Sequence, residues 1–182
     1  MKIIKRPGES YQHAAARTVL LSWLKEKDGH FGPFSWHGSM WEEYPFIEGY
    51  LASCLSEIRP NIKMTNPPIP TYEELAANNI YPIVIADICL IHKGSPFIVI
   101  EIVHKNELSE EKINKFKNMQ CGFGLQIWRV EAHWILGQVG MPTNFPDYGI
   151  RRVGWKKPTK EEFYEMTKNH TIRFFTYEEI YG

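Results

Sequence analysis

Apolar residues recur at helical spacing from Ser10 to Lys27, where Ala16, Val19, Leu20, Trp23 and Leu24 fall on one stripe. Ser10 stands at the cap position and Asp28-Gly29 closes the run, so the pattern predicts a first helix. The period is then lost. His30 to Ile47 is rich in aromatic, glycine and proline residues and predicts loop plus a short strand over Trp41 to Ile47. Tyr50 to Ile58 is a second apolar segment that fits helix or strand. Pro67-Pro68-Ile69-Pro70 interrupts any hydrogen-bonded element and leads into Thr71-Tyr72-Glu73-Glu74, a capping box that opens a short helix to about Asn78.

Two apolar runs follow, Pro82 to Ile91 and Phe97 to His104, joined by His92-Lys93-Gly94-Ser95-Pro96, which is a hairpin signature. Ser109 to Met119 predicts a helix with acids in its first turn and lysines toward its end. Leu125 to Leu136 predicts a strand. Thr159-Lys160-Glu161-Glu162 is another capping box, with a helix to about Lys168 and a strand near Thr171 to Phe175. This order predicts one α/β domain over residues 1–182. Its central mixed sheet is flanked by helices, with a core of about 10–138 and a C-terminal helix/strand extension of about 139–182.

Charge and composition narrow the function classes. Basic and acidic residues balance at 21 each, so no global field draws the chain to nucleic acid or an anionic membrane, and any polyanion site must be local. The longest apolar runs fall well short of the roughly 20 residues a membrane-spanning helix needs, and no signal-peptide pattern opens the sequence, so a cytoplasmic location is expected. Cys54, Cys89 and Cys121 are odd in number and form no CxxC pair, which points to buried thiols rather than disulfides or a thiolate zinc site.

The hairpin holds the chemistry. Turning about Gly94 sets Asp87 opposite Glu101, and directly opposed residues have Cβ atoms about 4.5–5.5 Å apart, where like charges destabilise the pairing. Val84, Ala86, Ile88 and Leu90 on one face, and Ile85, Cys89 and Ile91 on the other, are apolar, so the hairpin is central and its acids are buried. Such a carboxylate must be paired, protonated or metal-bound, and two of them suit Mg²⁺ with waters in the remaining positions. The bland alternatives are a pairing of Asp87 with an arginine or lysine from elsewhere, or a slipped register that keeps the acids apart. On the first helix, His13 lies toward the packed side and is read as hydrogen-bonding there.

Ile85-Ala86-Asp87-Ile88, Val99-Ile100-Glu101-Ile102-Val103 and Ser109-Glu110-Glu111-Lys112-Ile113, with a weaker likeness over Ser10 to Leu24, resemble the PD-(D/E)XK nuclease superfamily. The likeness is to competence-protein CoiA-like nuclease domains in particular, and it spans about Thr71 to Leu136. The resemblance implies a restriction-endonuclease-like core of helix, three strands, helix and strand. It also implies hydrolysis of phosphodiester bonds in DNA, or RNA, with Asp87 and Glu101 holding Mg²⁺ or Mn²⁺. The sequence departs from the pattern at Val103, where the family has its lysine. Lys105 shares that strand face one repeat of about 6.6–6.8 Å further on and is the first replacement, with Lys112 and Lys115 as the others. Glu42, Glu43 and Glu48 are the candidates for a further metal-binding acid, Glu43 first. Arg151-Arg152-Val153-Gly154-Trp155-Lys156-Lys157 is the one concentrated basic run, and Arg151, Arg152, Trp155, Lys156 and Lys157 form the candidate nucleic-acid path. Val103 and the neutral charge also keep a second reading open, a nuclease-like fold without catalysis that binds nucleic acid or protein.

Overall fold

Ser10 accepts a hydrogen bond from the His13 N–H at 3.2 Å and caps the first helix, α1 (Tyr11–Glu26). The computed structural model describes residues 2–46, 76–77, 79, 81–92, 95–118, 125–154, 159–167, 176 and 178. Several expectations lie outside them: the segment Tyr50 to Ile58, the Thr71 capping box, the turn at Gly94, Glu48, Cys54, Cys121, Trp155 to Lys157 and the strand over Thr171 to Phe175. Beyond α1 the chain turns at Gly29, whose φ of 85° suits glycine. A small hairpin follows, β1 (His30–Phe31) and β2 (Phe34–Ser35).

Five strands make one mixed sheet in the order β3 (Ser39–Phe46), β4 (Val84–His92), β5 (Ser95–Val103), β6 (Gln126–Glu131) and β7 (Ile150–Arg152). The first three are antiparallel neighbours. After β5 comes α2 (Glu110–Lys117), capped by Ser109, and β6 then runs parallel to β5. The fourth pairing, β6 with β7, is antiparallel.

Both sheet faces are covered, as the two-sided apolar pattern of the hairpin requires. On one face Ile88, Leu90, Ile98, Ile100, Ile102 and Val130 pack with Leu20 and Leu24 of α1. On the other, Cys89, Ile91, Val99 and Ile127 pack with Phe116 of α2 and with Tyr44 and Phe46 of β3. Cys89 is a buried free thiol.

Two sequence readings change. Leu125 to Leu136 is not one strand: β6 ends at Glu131, whose N–H donates to the Gly149 carbonyl at 2.7 Å, and Ala132–Leu136 forms a short helix, α3. Ala132, Trp134 and Ile135 of α3 join the core beside α1, and a continuous apolar run does not itself separate strand from buried helix. The start of the basic run, read only as a charged stretch, is the edge strand β7. Gly149 lets that strand approach, since a Cβ there would lie 2.5 Å from the Trp134 indole. The C-terminal capping box is as read: Thr159 Oγ1 accepts from the Glu162 N–H at 3.2 Å, Glu162 Oε2 accepts from the Thr159 N–H at 2.8 Å, and α4 (Lys160–Thr167) follows. Among the described residues no helix is long and apolar enough to cross a membrane.

Phe116 is the buried residue of α2 and meets Phe46 edge-on at 5.4 Å between ring centres. Phe116→Ala should cost about 3–5 kcal/mol in urea denaturation. A loss under 1 kcal/mol would mean that α2 is not held on the sheet by this side chain.

Candidate functional site

The β4–β5 ladder pairs Leu90 with Ile98, Cys89 with Val99 and Ile88 with Ile100. One step further, two carboxylates replace the backbone ladder. The Asp87 N–H donates to Glu101 Oε1 at 3.2 Å, and the Ile102 N–H donates to Asp87 Oδ2 at 2.9 Å. Each acid therefore takes up a peptide N–H of the opposite strand, which would otherwise be a buried donor without a partner.

The expected register brings the acids together, but not on one face. Val84 and Ala86 join the cluster on the α2 side, whereas Ile88 joins the α1 side, so the alternation of β4 slips at Asp87. On β3 the same slip occurs at Glu43, in the left-handed region with φ 58°, between Glu42, paired with Ile88, and Tyr44, paired with Ala86. Asp87 consequently turns toward the start of α1 and Glu101 toward α2. Strict period-two alternation cannot anticipate such a slip.

Cations gather around both acids. Arg6 Nη1 lies 3.0 Å from Asp87 Oδ1, and Arg6 Nη2 donates to the Asp87 carbonyl at 3.3 Å. His13 Nε2 is 3.1 Å from Asp87 Oδ2 and its Nδ1 is 2.6 Å from Glu9 Oε1, so the imidazole bridges two carboxylates. Lys112 Nζ lies 2.5 Å from Glu101 Oε2. Behind them Arg17, which is fully buried, binds Glu9 through Nε and Nη2, both at 3.1 Å, and pairs with Glu42.

These contacts divide the protons between the acids. Burial alone would raise Asp87, but the hydrogen bond and charge of His13, the Ile102 N–H and Lys112 outweigh it and hold Asp87 below the ordinary carboxylate range. Burial and the Asp87 charge push Glu101 up to about 7, against the pull of Lys112. Burial acts to lower His13, yet Asp87 and Glu9 more than compensate and raise it. Glu9, despite burial, is brought down to about 2 by Arg17, the Arg6 N–H and His13. His104 is lowered by desolvation and by the charges of His133, Lys105 and His13.

A cleft of about 440 Å³ opens over Asp87, with Arg6, Ser10, His13, His104 and Lys105 among its walls. Its walls mix charges, Arg6, His13 and Lys105 standing with the carboxylates of Glu9 and Asp87.

The sequence candidates are brought together only in part. Asp87 and Glu101 meet, and Lys112 is the lysine that reaches Glu101; Lys105 is exposed on the cleft rim. Lys115 pairs with Glu111. Glu43 sits beside the site in an ion pair with Arg6 at 3.1 Å. Arg151 and Arg152 lie on β7, away from the cleft. Val103 is buried. Missing from the sequence reading were Arg6, Glu9 and Arg17. For the last two the signal was present, since Glu9, His13 and Arg17 recur four apart and run into an apolar helical stripe.

Among the described residues no group of three or more His, Cys, Asp or Glu side chains is arranged to hold a metal ion. The candidate donors are the carboxylates of Asp87 and Glu101, oxygen ligands of the type that hard divalent cations take. Mg²⁺ needs only one or two protein carboxylates, and here it would have to displace Arg6, His13 or Lys112 from them. Comparisons with protein-family models, with curated proteins and with solved structures find no significant match to this chain.

The raised pKa of Glu101 has a signed consequence. An unfolded glutamate loses its proton near 4.5 and the folded one near 7, so between these values the native state binds more protons and stability falls as pH rises. Relative to Glu101→Gln, the wild-type melting temperature should decline from pH 4.5 to 7.5. Parallel profiles for the two proteins would show that Glu101 ionises normally.

Proposed function

We propose that this chain is a metal-dependent nuclease that hydrolyses phosphodiester bonds of nucleic acid, DNA first, on a restriction-endonuclease-like core of the PD-(D/E)XK kind. The observation that carries the reading is the meeting of Asp87 and Glu101 where the β4–β5 ladder ends, with Lys112 on Glu101. The order of helix, three antiparallel strands, helix and parallel strand supports it.

In this reading Asp87 and Glu101 hold Mg²⁺ or Mn²⁺ through their carboxylate oxygens. The bound cation supplies an activated water and neutralises charge on the phosphate. Lys112 takes the part that Val103 leaves vacant, reaching Glu101 from the next helix instead of from the same strand. Its ammonium orients the nucleophile and offsets negative charge developing beside Glu101. Arg6, on the cleft wall, attracts and aligns the phosphate backbone, with Lys105 adding charge only at the exposed rim.

A second reading is favoured by one observation: Arg6, His13 and Lys112 already neutralise both acids. A nuclease-like module that binds nucleic acid or protein without cutting needs nothing more. The two readings part on metal affinity and on cleavage.

With labelled single- and double-stranded DNA and RNA, the wild type should cleave at least one polymer in Mg²⁺ or Mn²⁺. Asp87→Asn, Glu101→Gln and Lys112→Met should each lower the rate by about 10²-fold or more, whereas Lys105→Met should stay within about tenfold. Cleavage that survives both carboxylate substitutions would overturn the site assignment, and no cleavage of any polymer would favour the binding module.

A further inference from the structure

A second cavity, of about 660 Å³, lies against the other end of the sheet, at β6 and β7. Its size is within the range of about 300–1,000 Å³ typical of small-ligand sites. Three aromatic side chains, Trp128, Phe145 and Tyr148, line it together with Arg151, Arg152 and Asp147. Arg152 is paired directly with Trp128 across the β6–β7 ladder, so the guanidinium and the indole rise side by side from one face. Trp128 is steadied by edge-on packing against Phe34 at 5.3 Å and by its Nε1 donating to Gln126 Oε1 at 3.3 Å. Phe145 is fixed against Phe31 at 5.2 Å. Tyr148, by contrast, is 75% exposed, and Arg151 and Arg152 are exposed.

We infer that this cavity binds one unstacked nucleobase with its phosphate, and that the chain therefore engages single-stranded nucleic acid. Flat rings of any base stack on aromatic side chains, while arginines at the rim meet the phosphate. Asp147 offers an acceptor to the amino group of a base edge. A duplex presents its bases stacked and paired, so it has no free face to offer such a pocket. The inference rests on the nucleic-acid reading above for the choice of polymer, and it names the strand form that reading leaves open. Ile102 on the cleft pairs with Val130, and Val130 pairs with Ile150 on this cavity, so they stand two strands apart, about 10 Å.

Binding is read separately from cleavage, by fluorescence anisotropy without divalent metal, using a labelled short oligodeoxycytidylate, the matching oligocytidylate and a duplex of the same length. A single strand should bind more tightly than the duplex, and the better of the two single strands identifies the sugar preferred. Tyr148→Ala should weaken single-strand binding by about tenfold. Arg152→Ala should weaken it and reduce the slope of log affinity against log salt by about one. Both residues are exposed, so the folded state survives these changes. Binding that depends on Tyr148 and Arg152 supports the inference even if the protein cuts nothing. Absent single-strand binding, equal preference for duplex, or binding indifferent to both substitutions would overturn it even if the protein proves to be a nuclease.

Discussion

Two carboxyl groups set beside each other within a covered sheet are the constraint around which this molecule is arranged. Asp87 and Glu101 are both almost wholly buried, where an unpaired carboxylate is expensive and a second one beside it more so. Each neighbour offsets part of that cost: two peptide N–H groups from the interrupted ladder, Arg6 and His13 on Asp87, Lys112 on Glu101. The compensation is incomplete on the Glu101 side, which is why that carboxyl is held up to about 7 while Asp87 keeps its charge.

The segment before α1 is fixed by a further layer of the same chemistry. Arg17 donates to the Ile4 carbonyl at 3.0 Å and to both oxygens of Glu9, and Glu9 Oε2 accepts the Arg6 N–H at 2.8 Å. A buried arginine thus ties residues 4–9 over the cleft and presents Arg6 to Asp87. Removing one member of such a buried network leaves an uncompensated charge, so its members act as a unit rather than as separate contacts. Of the side chains of Arg6, Glu9 and Arg17, that of Arg6 is the most exposed, and it lines the cleft.

Much of this was legible in the sequence, because strand and helix periods report burial. The first helix, the central hairpin and the helix opened by Ser109 appear close to their expected bounds, and Asp87 and Glu101 come together as their register implies. Other features were hidden for identifiable reasons. The face of Asp87 depends on a left-handed residue, Glu43, in the neighbouring strand, which no local pattern around Asp87 encodes. Lys112 reaches Glu101 from another element across 11 residues, so spacing along a strand pointed to Lys105 instead. Leu125 to Leu136 is apolar on both halves, and only the bond from Glu131 to Gly149 marks where strand gives way to helix.

Whether the Asp87–Glu101 pair accepts a divalent cation is tested directly by titration calorimetry with Mn²⁺ at pH 6 in two buffers of different ionisation enthalpy. A carboxyl held up to about 7 is largely protonated at that pH, so it must release its proton to become a ligand. Saturable binding that releases close to one proton, with the release lost in Glu101→Gln and the binding lost in Asp87→Ala, is the predicted result. No binding to the folded wild type, or binding unchanged in both variants, would contradict it.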